Sequence, residues 1–145
     1  LRRTDRKQRI YHTHFRIVRP TMKINTFDID GVIYFGEGVT GVRPCRNDII
    51  ITGRSIEQYD YTTNMLRKRG IYNQVFFNPM SRSDPNYCRE ESGRHKARVI
   101  TKLLKVYDIG LHFEDDPVQI EQIRKVHPDL GIIHMVREDE QLVKY

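Results

Sequence analysis

The chain predicts an α/β fold built around a mostly parallel sheet of about five strands. From residue 23 onward, short apolar runs rich in Ile, Val and Phe alternate with segments of helical period. One of these runs, Ile49-Ile50-Ile51, is continuous rather than alternating, which suits a central strand covered on both faces. Residues 22–145 contain no internal repeat and no linker able to split them, so the 145-residue chain is read as one domain with a sizeable core.

Each element has its own signal. The first strand covers about residues 23–29 and runs into Phe27-Asp28-Ile29-Asp30-Gly31-Val32. Residues 31–47, with Gly31, Gly36, Gly38, Gly41 and Pro44, read as an irregular loop or small flap. Residues 48–52 form a second, buried strand that ends in Thr52-Gly53-Arg54-Ser55. Ser55 and Gln58 have the spacing of a capping box. The helix that follows runs to about Arg69 with Ile56, Tyr59 and Leu66 on a repeating face, and Gly70 is placed to stop it. Val75, Phe76 and Phe77 mark a third strand over residues 73–78.

Residues 79–93 are polar and without period, a loop long enough to be either functional or disordered. Residues 95–107 read as an amphipathic helix burying Val99, Ile100, Leu103, Leu104 and Tyr107. Leu111-His112-Phe113 leads a fourth strand into Glu114-Asp115-Asp116-Pro117. Pro117 suits the first position of a helix, which carries Ile120, Ile123 and Val126 inward. Residues 131–136 form the fifth strand, and residues 137–145 are expected to finish as a short helix.

Composition narrows the partners. Hydrophobic residues make up 38% and charged residues 30% of the chain, a balance of water-soluble domains. There is no apolar run of about 18 residues to span a membrane and no charged-then-apolar leader. Cys45 and Cys88 have neither metal-ligand nor redox spacing, and reduced thiols with a cytoplasmic location are expected. The net charge of +6 is confined to one place. Residues 1–21 hold seven basic side chains and one acid, so the remainder is balanced at 18 basic and 18 acidic residues. This extension is either a flexible arm that contacts nucleic acid or a solvated segment upstream of Met22, which has the place of an initiator. His12 and His14 within it lack a third ligand.

The chemistry centres on Asp28 and Asp30. Alternate residues of a strand point the same way. A strand running straight through would therefore aim both carboxylates at one spot, where they repel unless a divalent cation or a shared proton intervenes. The other reading is a solvated Asp-Gly turn. Thr52, Lys96 and the pair Asp115/Asp116 fall at equivalent places, each near a strand end or a helix start. Open α/β sheets bind ligands at the carboxyl ends of their strands. Several carboxylates suit Mg²⁺. A threonine hydroxyl with backbone N–H groups suits a phosphoryl oxygen, and a lysine supplies a point charge. A calcium loop fails because Val32 and Val39 hold the required ligand positions. A phospho-receiver domain would carry its acidic pair after the first strand, which is not the order here.

D-x-D-G-V after a strand, then I-I-I-T-G-R, a lysine at the head of a helix, and an apolar strand ending in D-D resemble the haloacid dehalogenase-like phosphatase superfamily. The four motifs occur in order across residues 23–116, within an α/β pattern that extends to about residue 136. The resemblance implies a three-layer, Rossmann-like sandwich and a two-step phosphatase mechanism. Asp28 would be the nucleophile that forms an aspartyl phosphate. Asp30 would move protons, Thr52 with Gly53 would bind the phosphoryl group, and Lys96 would bind phosphate and orient Asp28. Asp28, Asp116 and the Asp30 main-chain carbonyl would hold Mg²⁺, with Asp115 supporting the metal or Lys96. Lys102 and Arg98 are rivals for the lysine role. Arg54 is either a substrate contact or a surface charge. The remaining histidines, His95, His112, His127 and His134, are expected to be without chemistry.

The intervals where relatives of this kind carry a cap domain, residues 31–47 and 79–94, are too short for one, so the protein resembles capless members. An open site admits bulky phosphate esters, and a nucleotide or nucleic-acid-end phosphate is expected. The competing class is a non-catalytic binding or assembly protein that keeps the fold and uses its basic arm. The presence of both Asp28 and Asp30 speaks against it.

Overall fold

The computed structural model describes residues 21–137. The basic extension 1–20 and the expected helix beyond residue 137 lie outside the described residues. The elements are β1 (Met22–Phe27), β2 (Ile49–Ser55), α1 (Tyr59–Lys68), β3 (Val75–Asn78), α2 (Arg89–Leu103), β4 (Tyr107–Glu114), α3 (Pro117–Val126) and β5 (Ile132–His134). All strand pairs are parallel, in the order β3-β2-β1-β4-β5. No further folded unit is inserted among the described residues. No helix among them is long and apolar enough to cross a membrane.

Strand alternation sorts the core into two layers. Ile49 and Ile51 of β2 join Ile24, Ile100 and Leu103 beneath α2 and α3. Ile50 turns the other way, to Leu66 of α1 and to Ile29, Val32 and Ile33 of the segment after β1. The sheet is thus the middle layer of three. Each such isoleucine is fully or almost fully buried, a contribution of roughly 1.5–3 kcal/mol apiece.

The Ser55–Gln58 capping box forms, but on one turn of 3-10 helix, Ile56–Gln58, that precedes α1. That tighter turn sets Ile56 off the buried face, and Ile56 and Tyr59 are about half exposed while Thr62 and Leu66 point inward. Gly70 terminates the segment with φ +72°.

Strand ends shift by up to three residues from the sequence expectation, β2 running on to Ser55, and the largest departures surround α2. Helix α2 starts six residues earlier than the period suggested, at Arg89, and ends at Leu103. Its first turns are polar and include Gly93, which hid them from a search for apolar period. Gly93 is needed because a Cβ there would meet Gln119 Cα of α3 at 2.9 Å. Leu104 is consequently exposed, and Tyr107 opens β4 instead of closing the helix. Val126 is also exposed, leaving Ile120 and Ile123 as the buried residues of α3.

Candidate active site

The chain reverses direction in the sheet between β1 and β4: β2 and β3 extend one side and β4 and β5 the other. This is the switch point at which parallel α/β sheets open a crevice. Asp28 follows β1 there, and Asp115 follows β4. Asp28 N–H donates to the Phe113 carbonyl at 3.0 Å, which locks the two strand ends together.

Asp28 and Asp30 do not converge as a straight strand would bring them. Strand β1 ends at Phe27, and the Ile29 carbonyl accepts N–H bonds from Val32, Ile33 and Tyr34 in a tight turn. Gly31 sits in that turn with φ +76°. Asp28 is left buried, whereas the Asp30 side chain is 56% exposed. The two carboxylates therefore meet different partners.

Asp28 faces a buried lysine. Lys96 Nζ lies 2.9 Å from Asp28 Oδ1 and 2.6 Å from Glu114 Oε2, with no exposed surface of its own. Lys96 is in the body of α2, about two turns in, rather than at a helix start. Its rivals are excluded by position: Arg98 pairs with Glu91, and Lys102 is exposed. Behind this pair the network continues through the fully buried His112. Its Nε2 is 3.3 Å from Glu114 Oε2, and its Nδ1 is 2.8 Å from Thr26 Oγ1. The Glu114 Oε1 atom accepts from Asp115 N and Asp116 N. Glu114 was not singled out from sequence, and His112 was expected to be without chemistry. Period two places positions 112 and 114 on one strand face without showing which face meets Lys96.

The acidic groups that the fold gathers are Asp28, Glu114 and Asp115, with ligand atoms all within 4.8 Å of one another. Asp116 was the expected metal ligand, and it is engaged elsewhere. Its carboxylate accepts from Arg89 at 2.9 and 2.6 Å and from Gln119, and it caps α3 through Val118 N. The Asp30 carboxylate is also outside the acidic cluster, held at both oxygens by Arg54 at 2.9 and 2.7 Å. Arg54 donates in turn to Thr62 Oγ1 and lies over the Tyr34 ring. It is therefore tied to the site and only 11% exposed. Thr52 is fully buried within β2, where its Oγ1 accepts from Arg54 N at 3.1 Å. Its neighbour Gly53 reaches the cleft wall, packed against Ser92, and accepts Tyr87 Oη–H at its carbonyl.

The electrostatics follow from this packing. Burial pushes the Asp28 carboxyl well above its usual range, and the Glu114 charge adds to the effect. Burial works against the Lys96 ammonium, but Asp28 and Glu114 outweigh it and hold the lysine charged. Burial also opposes ionisation of Glu114, and there Lys96 and His112 prevail and keep it below the ordinary carboxylate range. Burial, then Glu114, push Asp115 up to about 6. Burial also holds His112 below its ordinary value.

Three carboxyl groups thus crowd a single ammonium, and full ionisation would leave two negative charges in a largely buried site, which is why Asp28 and Asp115 are pushed up. One divalent cation would let all three ionise, and oxygen donors suit a hard ion such as Mg²⁺. Gly31 supplies the room: a Cβ there would fall 2.0 Å from Asp115 Oδ2. The donor set fits such an ion.

Asp28, Asp30, Gly53, Arg54, Tyr87 and Asp115 line a cleft of about 690 Å³ that opens to solvent. Segment 79–88, between β3 and α2, forms one wall. It is fastened by Ser81 Oγ and Arg82 N to Glu57 Oε1 and by Tyr87 to Gly53.

The fold and site together define a parallel α/β domain with a buried acid–lysine centre at its switch point. No family model matches the chain, and no curated protein is significantly similar to it.

Proposed function

We propose that this protein is a Mg²⁺-dependent phosphomonoesterase of the haloacid dehalogenase-like, capless type, acting through an aspartyl phosphate on Asp28. The observation that carries the reading is the placement of Asp28 at the switch point. It is buried, bonded to Lys96, and set beside Glu114 and Asp115.

The chemistry assigned to each residue is as follows. Lys96 fixes one Asp28 oxygen and offsets the charge of the site. An Asp28 oxygen attacks phosphorus, the P–O ester bond breaks, and Asp30, turned from Arg54 and entering the step as the carboxylic acid, gives its proton to the departing oxygen. Asp30 then takes a proton from water, the water oxygen attacks phosphorus, and the P–O bond to Asp28 breaks. Inorganic phosphate leaves and both aspartates are restored. Glu114 and His112 hold Lys96 in place from behind. Asp28 and Asp115, with Glu114 adjoining, are the groups that would hold Mg²⁺, which when bound offsets phosphoryl charge. Gly53 borders the phosphoryl position, and the buried Thr52 supports that edge from behind through the Arg54 backbone N–H that it accepts. Phosphoryl transfer depends mainly on such positioning and charge stabilisation.

A site that no inserted unit covers among the described residues favours an extended phosphate ester, and we infer a substrate among nucleotides and nucleic-acid ends. The test is hydrolysis of an aryl phosphate by the full chain with and without Mg²⁺. Activity abolished by chelator and by Asp28→Asn supports the reading. A folded wild-type protein inactive on aryl phosphate, nucleoside monophosphates and both 3′- and 5′-phosphorylated oligonucleotides refutes it.

A further inference from the structure

The parallel sheet places every strand entry at one pole, opposite the acidic site. The segments entering β2 and β3 are free of acids over long stretches, residues 38–47 and 61–74. At that pole the two segments come together. Asn73 Nδ2 donates to the Cys45 and Asp48 carbonyls, and Arg43 donates to the Arg69 and Gly70 carbonyls at 2.6 and 2.8 Å. Two clefts meet there. One of about 670 Å³ runs along α1 beside the 33–43 segment, from Tyr61 in the helix's first turn, on the Arg54 side, down to Lys68 and Arg69 at this pole. The other, of about 520 Å³, is walled by Arg46 and Tyr72. Arg43 and Ile71 line both, so the clefts form one groove.

Among the described residues, none of Arg43, Arg46, Lys68 and Arg69 makes an ion pair. Arg43 and Arg69 are instead fixed through backbone carbonyls, Arg69 to Val39 and Gly36, which leaves their charges uncompensated and already in position. Glu37 is the one carboxylate on either wall. Tyr61 and Tyr72 are 65% and 76% exposed. Unpaired cations along a groove, with exposed aromatic rings between them, fit a charged backbone whose bases are free to stack. A duplex offers no free base faces to those rings.

We propose that this groove is a binding site for single-stranded nucleic acid, distinct from the acidic site and independent of any activity there. Residues 1–21, with seven basic side chains, join the fold at Met22, the entry of β1, at the same pole.

The test uses the full chain and a fluorescent oligothymidylate, read by anisotropy over a range of salt. Arg46→Glu/Lys68→Glu should weaken binding at least about tenfold and lower the salt slope by about 1.4, since each phosphate contact on a single strand contributes about 0.7. Tyr72→Ala, which leaves charge unchanged, should weaken binding at least about fivefold by loss of stacking. Circular dichroism verifies that each variant is folded. Wild-type affinity in folded Arg46→Glu/Lys68→Glu overturns the proposal and assigns the binding to another surface. It is equally overturned if wild type ignores the oligonucleotide, or binds phosphatidylserine vesicles in its place.

Discussion

Lys96 and Glu114 form an ion pair of 2.6 Å with neither side chain exposed, and Asp28 shares the same ammonium. Such a pair is held by its surroundings. Two charges removed from water recover the desolvation cost only when their other hydrogen bonds are satisfied. Here Glu114 has the two backbone N–H groups of Asp115 and Asp116 and the ring of His112.

Breaking the pair from one side leaves a buried charge alone. Lys96→Met is expected to lower stability by about 3–5 kcal/mol, because Asp28 and Glu114 then face each other without a cation. Lys96→Met/Glu114→Gln should cost less than the sum of the single changes. Urea unfolding of the three variants checks this, and additive costs would mean that the two groups are energetically separate.

The metal reading separates Asp115 from Asp116. Mg²⁺ at about a hundred times its dissociation constant should raise wild-type stability by about 2.7 kcal/mol. Asp115→Asn should abolish that response. Asp116→Ala should keep it, while lowering stability by about 0.5–2 kcal/mol through loss of the cap of α3. Gly31→Ala should lose the response, since its Cβ collides with Asp115 and φ is +76°. Gly36→Ala, with φ +115° and open space around it, should retain it. Thermal unfolding with and without Mg²⁺ distinguishes these outcomes.

Arg54 holds the Asp30 carboxylate at both oxygens, and Thr62 anchors Arg54 in turn. If Asp30 protonates the leaving oxygen, a poor leaving group should feel the loss of Arg54 most. Arg54→Gln is expected to lower kcat/KM for an alkyl phosphate at least about tenfold more than for para-nitrophenyl phosphate. Equal losses on both substrates would make Arg54 purely structural.

His95 gives a stability signature in acid. Burial, with the Lys96 and Arg98 charges, pushes its imidazole down to about 4 from an ordinary 6.5. Between those values the unfolded chain binds a proton that the folded chain refuses, so stability falls as pH falls through this window. Asp115 acts in the opposite sense. Raised to about 6 from 3.8, it binds a proton in the folded chain first and adds stability toward acid. The difference between wild type and His95→Gln isolates the histidine. In metal-free urea titrations at about pH 7 and pH 5, wild type should lose about 1–2 kcal/mol more than the variant. Parallel losses would mean that His95 titrates normally.

The strands and the buried isoleucines were legible because continuous apolar runs leave few alternatives in a chain of this length. Asp28 and Lys96 were legible through their motif order. The start of α2 was not, because Arg89 to Arg94 carry no apolar side chain. Their signals were subtler: Cys88 at the cap, and Glu90 and Glu91 in the first turn. Asp116 carries a double signal. An Asp before Pro can cap a helix and hold a metal, and the structure shows the cap and an Arg89 pair at the wall of the same cleft as Asp28 and Asp115.

The sequence by itself determined the parallel α/β pattern, the isoleucine core and the place of Asp28 just past the first strand, since each rests on local period and spacing. The tertiary structure decided which acids stand beside that aspartate. Between Ile24 and Thr26 the pairing of β1 advances two residues while β4 advances three, from Ile109 to His112. This bulge is stitched by Asn25 Oδ1, which accepts Leu111 N–H at 3.0 Å. One extra residue flips the alternation of a strand. It turns His112 and Glu114 toward Lys96 and sends Phe113 to the opposite face, stacked 4.5 Å from Phe27. A bulge depends on the partner strand, so no reading of β4 alone could reveal which of its residues would reach Lys96.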